Sequence, residues 1–124
     1  MLSTINSIFD PLGFLAPVVI KGKLLMRQLV NCTSNWDEPL PPQYATDWKQ
    51  WTSSLSDLHQ LQISRTYFTK SWANSRDKHV HVFADASEQA IAAVGYVVLQ
   101  RSPEAKEIIF VLGKVKVAPL HGLT

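Results

Sequence analysis

The chain has 124 residues, room for one small domain with a modest core. Hydrophobic residues make up 46% and charged residues 18%, a balance that fits a globular chain and excludes a disordered one. A formal net charge of +2 is too small to mark a nucleic-acid binder by electrostatics alone, and the single cysteine, Cys32, excludes an internal disulfide and a multi-cysteine zinc site.

Ile5 to Ile20 is apolar but interrupted by Asp10, Pro11, Gly13 and Pro17, and no basic segment precedes it. It therefore reads as neither a signal peptide nor a membrane span, and the expected location is intracellular, cytoplasmic or nuclear. FDPLGFLAP reads as a buried turn: Asp10-Pro11 favours turn initiation and Gly13 permits a positive φ. Asp10 reads as a turn acceptor or helix cap rather than a catalytic acid.

A first helix is expected from Pro17 to about Val30, with proline at the first turn, where its missing N–H costs nothing. Val18, Leu25 and Leu29 form one stripe, widened by Leu24 and Met26. Lys21, Lys23 and Arg27 are the basic residues of this helix; they form either a solvated face or contacts to nucleic-acid phosphates. Asn31 to Pro42 reads as a loop in which Trp36-Asp37 is an aromatic anchor with a turn acid. A second helix is expected from Gln43 to His59, because Tyr44, Trp48, Trp51, Leu55 and Leu58 recur at helical spacing. Its tryptophans read as core or an inter-domain contact in preference to base-stacking platforms. Leu61 to Phe68 suggests a short strand, and Lys70 to Lys78 a polar linker that serves as a boundary.

His79 to Phe83 alternates with period two, and the chain then reaches Asp85 among the small residues Ala84, Ala86 and Ser87. A second β-rich run spans Ala90 to Leu99 and a third Glu107 to Val117. Short connections between the three predict an antiparallel meander, with Asp85 at the end of its first strand as a candidate metal ligand.

Several stretches in order, IFDPLGFLAPVVIKGKLLMRQL, NWDEPLP, HVFADASEQAIAAVGYVV and GKVKVAPL, resemble the Pol polyprotein of Bel/Pao long-terminal-repeat retrotransposons. The resembling segment joins reverse transcriptase to ribonuclease H and covers nearly the whole chain. The resemblance implies an α+β fold, with an N-terminal helical connection over residues 1–70 and the N-terminal half of a ribonuclease H-like domain, a partial three-stranded antiparallel sheet, over 71–124. The implied parent activity is metal-dependent cleavage of RNA in RNA–DNA hybrids, with Mg²⁺ in the complete domain. The hybrid, the reverse transcriptase and the remaining ribonuclease H segments are the implied partners. Asp85 matches the first metal ligand. The next acid of the family is a glutamate in a Pro-Arg-Leu-Glu-Leu-type motif shortly after a segment like Val117 to Leu120, and the chain stops at Thr124.

Two-metal hydrolysis needs several carboxylates around ions roughly 3.5–4 Å apart. Neither Glu88, three residues after Asp85 in the bend, nor Glu107, at the start of another strand, is an acceptable substitute for the missing ligands. The site at Asp85 is therefore expected to be vestigial or incomplete, to bind no metal tightly, and to be inactive alone. An uncovered sheet with open edges is further expected to leave the chain marginally stable. The family also carries the label Pao retrotransposon peptidase, but FADAS lacks the glycine of an Asp-Thr/Ser-Gly site, so no peptidase activity is assigned. His79 and His81 are two potential ligands without a third, Gly95 and Gly113 make no phosphate loop, and Cys32 has no evident base. The alternative from another class is a non-catalytic protein-interaction module derived from the retroelement, using its Trp-rich helix and open sheet edge.

Overall fold

Asp10 and Gly13 reverse the chain ahead of its longest helix. Gly13 adopts φ 78°, a conformation that side chains rarely take. The Asp10 carboxylate accepts the Leu15 N–H at 2.8 Å, so it caps the approach to the helix as a turn acceptor should. Asp10→Ala is expected to cost about 0.5–2 kcal/mol in a urea melt, and Asp10→Asn to recover part of that loss. The turn is less buried than its composition suggests: Phe9 is 88% exposed and Leu12 is also exposed.

The computed structural model describes residues 1–32, 37–67 and 70–120. A short helix absent from the sequence expectation, α1 (Leu2–Asn6), buries Ile5. The expected first helix is α2 (Ala16–Cys32), burying Gly22 and Leu29. Trp36 lies outside the described residues. The second helix is shorter than its apolar stripe: α3 (Pro42–Ser54) gives way to a 3-10 helix at Leu55–Gln60. The hydroxyls of Thr52, Ser53 and Ser54 turn back to the carbonyls of Trp48, Lys49 and Trp51, and Ser56 to that of Ser53. Such local bonds compete with the helical ladder and account for the tightening. Trp51 joins α3 to α2: its Nε1–H donates to the Val18 carbonyl at 2.9 Å, and its ring lies where a side chain on Gly22 would have to go.

Residues 61–67 form no strand, contrary to the short strand expected over Leu61 to Phe68, and Phe68 lies outside the described residues. The polar linker contains a short helix, α4 (Lys70–Asn74), and the Lys78 ammonium sits 5.4 Å from the centre of the Trp72 ring.

Three strands follow, β1 (Asp77–Ala86), β2 (Ala90–Ser102) and β3 (Ala105–Val117), paired antiparallel in the order β1-β2-β3. The meander is as expected from the alternation, with longer strands. Ser87 closes the first turn by accepting the N–H groups of Gln89 and Ala90. The β2–β3 register slips between Gly95 and Tyr96, which face Leu112 and Phe110 and leave Val111 as the extra residue. The Val111 carbonyl accepts the Tyr67 hydroxyl at 2.9 Å.

The packing crosses residue 70. α2 lies against β3, the Arg27 guanidinium donates to the Ala118 carbonyl at 2.9 Å, and the Gly113 N–H donates to the Leu12 carbonyl at 2.8 Å. Buried apolar residues are few among the described ones: Ile5, Leu29, Trp51, Leu99 and Ala118. Apolar surface is plentiful, with Val80, Val82, Phe83 and Ile108 exposed.

Candidate functional site

Strand alternation and register put Asp85 on the same face as Phe83 and, across the ladder, Ala92, Val94 and Tyr96. α2 covers the far side of this face. Between them runs an open groove of about 720 Å³, whose lining includes Phe14, Pro17, Ile20, Leu24, Phe83 and Asp85. Its aromatic side chains form a row from the α2 side towards β1. Phe14 and Phe110 have ring centres 4.5 Å apart, Phe110 and Tyr96 meet edge-on at 5.9 Å, and Tyr96 and Phe83 edge-on at 6.3 Å. Asp85 therefore stands at the exposed end of an aromatic floor. Sequence reasoning missed this row; the one signal for it is that Phe83 and Tyr96 have the parity of one sheet face once the hairpin turn is placed at Ser87 to Ala90.

The residues present do not fit a pair of Mg²⁺ ions. Among the described residues no three His, Cys, Asp or Glu side chains come together in a group able to hold a metal ion. Glu88 lies in the turn and Glu107 faces Leu99 near the opposite end of the sheet, while Asp85 faces Ala92. His79 and His81 share the Asp85 face of β1, both exposed. A lone carboxylate supplies only a small part of the oxygen set that Mg²⁺ prefers.

The basic residues of α2 are not gathered into one patch. Lys21 borders the cleft between α2 and α3 beside Asp47, whereas Lys23 borders a shallow groove shared with Asp10 and Lys114. Two residues apart on a helix, they point some 200° from one another. Arg27 lies one turn beyond Lys23 and is held by Ala118. The Cys32 thiol shares a hydrogen bond of 3.3 Å with the Tyr44 hydroxyl, and this contact, with desolvation, holds the Tyr44 phenol above its ordinary pKa. The partner of that thiol among the described residues is thus a phenol, a weak acid.

No helix among the described residues is long and apolar enough to cross a membrane. A family model described as the Pao retrotransposon-like RNaseH-like domain matches residues 1–124. No curated protein and no solved structure matches the chain.

Proposed function

The chain belongs to the Pao retrotransposon-like RNaseH-like family, and from that premise we propose that it is the part of a Bel/Pao Pol polyprotein that runs from the reverse transcriptase connection into the ribonuclease H-like domain. The observation that carries this reading is the match of one family model to residues 1–124, which takes in the helices as well as the sheet. The position of Asp85 at the exposed end of the first strand supports it. The parent activity is cleavage of the RNA strand of RNA–DNA hybrids, and this chain contributes to it a scaffold and one carboxylate. The further acids come from residues other than those described, and without them the site is inactive. Lys21 and Lys23 are the candidates for phosphate contact, with Arg27 held more closely to the fold.

The test is a hybrid-cleavage assay in Mg²⁺. The 124-residue chain is expected to leave a labelled RNA–DNA hybrid uncut. A Pol polypeptide carrying this chain together with the remaining acids is expected to cut it, and Asp85→Asn in that polypeptide to lower the rate by at least about a hundredfold. Cleavage unchanged by Asp85→Asn would remove Asp85 from the site. A second reading, a non-catalytic interaction module derived from the retroelement, is favoured by the full exposure of β1. It predicts that Asp85→Asn has no effect on any activity of the polypeptide.

A further inference from the structure

The turn that follows Asp85 is held from two sides. From within, the Ser87 hydroxyl oxygen accepts the N–H groups of Gln89 and Ala90, and the Ser87 N–H donates to the Ala90 carbonyl at 2.8 Å. From outside, the Ala118 N–H donates to the Gln89 carbonyl at 2.9 Å. This bond lies one residue beyond the last rung of the β2–β3 ladder, where Ala90 faces Val117. Ala118 is in turn fixed by α2. Its carbonyl accepts the Arg27 guanidinium at 2.9 Å, and the residue is 8% exposed. Ile20, Leu24 and Arg27 are spaced by four and three residues and so share one face of the helix. Ile20 and Leu24 line the groove that Asp85 also lines, and Arg27 continues their row to the end of β3.

We propose that Arg27 is a positioning residue for Asp85, acting through Ala118 and Gln89 to fix the turn beside the carboxylate. Asp85 is two residues before Ser87, about 7 Å along the strand. A shift of the turn is therefore passed to the last rungs of β1, where Asp85 faces Ala92. Arginine suits this task, because a hydrogen bond from a charged donor is stronger than a neutral one and the guanidinium stays protonated at any working pH. Removing it leaves the carbonyl of a buried residue without that donor, the costly way to lose a hydrogen bond. Ala118 then loosens, and with it the bond that ties the turn to α2. The inference rests on the reading of Asp85 as part of the cleavage site, and it gives Arg27 a role other than phosphate contact.

The test uses the Pol polypeptide that carries this chain together with the remaining acids, and it has two readouts. The first is amide hydrogen exchange, which needs no cleavage. Arg27→Met should speed exchange in peptides spanning 86–90 and 117–119 by at least about tenfold, and leave α2 and the central rungs of the sheet protected. The second is hybrid cleavage at varied substrate and salt concentration. Arg27→Met should lower kcat by at least about tenfold, with KM and its salt dependence unchanged. Ala118→Pro removes the N–H given to Gln89 and keeps the carbonyl, and Pro119 already confines position 118 to extended backbone. It should lower kcat by a similar factor. The double variant should be about as slow as either single one, since both break the same relay.

Unchanged exchange at the turn in Arg27→Met overturns the proposal. So does a raised KM with a shallower salt dependence, the mark of a lost phosphate contact. So does loss of protection throughout α2 and the sheet, which would make the contact a general support of the fold. So do rate losses that multiply in the double variant. Failure of the underlying reading looks different: Asp85→Asn then leaves cleavage unchanged, while exchange at the turn still shows whether Arg27 holds it.

Discussion

Trp51→Ala is expected to destabilise the chain by about 3–5 kcal/mol, the range for removing a buried aromatic ring from a core that collapses only in part. The ring is 6% exposed, is packed onto Gly22 of α2, and has Trp48 tilted against it at 5.0 Å. Its indole N–H is bonded to the Val18 carbonyl. With few other apolar side chains buried among the described residues, this ring is a large share of what fastens α3 to α2. A loss of this size is a large share of the roughly 5–15 kcal/mol that holds a domain folded, so the urea midpoint should fall sharply. Urea titration followed by far-ultraviolet circular dichroism measures it. Trp51→Phe separates the two contributions: it keeps an aromatic ring against Gly22, gives up the N–H, and should lose about 1–3 kcal/mol. Equal losses for both variants would mean that the hydrogen bond, rather than the packing, fastens α3.

The sequence makes Trp51 visible as one member of a helical stripe, but periodicity says only that a face is covered and never by what. The covering partner is Gly22, which on sequence grounds is a mild weakness in a helix. Its use appears only when α3 lies across it. The β meander is the most legible part, because alternation, turn residues and short connections all point the same way at Ser87 to Ala90. Val111 is the converse. It lies in IIFVL, where an unbroken apolar run carries no mark of an extra residue, so the bulge has no signal in the sequence. For Asp85 the resemblance and the strand pattern agree on its position at the end of β1. The groove beside it depends on Phe14 reaching Phe110 from nearly the other end of the chain, a contact that no local pattern encodes.

Gly13→Ala is expected to cost about 2–5 kcal/mol, combining a left-handed backbone conformation imposed on a side chain with overpacking. The added methyl would collide with the backbone of Gly113, whose carbonyl carbon lies 2.5 Å from the position it must take. Backbone cannot swing aside as a side-chain end can, so the loop at 9–15 must lift off β3. Lifting it breaks the Gly113-to-Leu12 hydrogen bond and separates Phe14 from Phe110. Urea titration followed by circular dichroism measures the loss. A loss of only about 1–2 kcal/mol, the backbone contribution by itself, would mean that Gly113 gives way to the added methyl and the loop stays on β3.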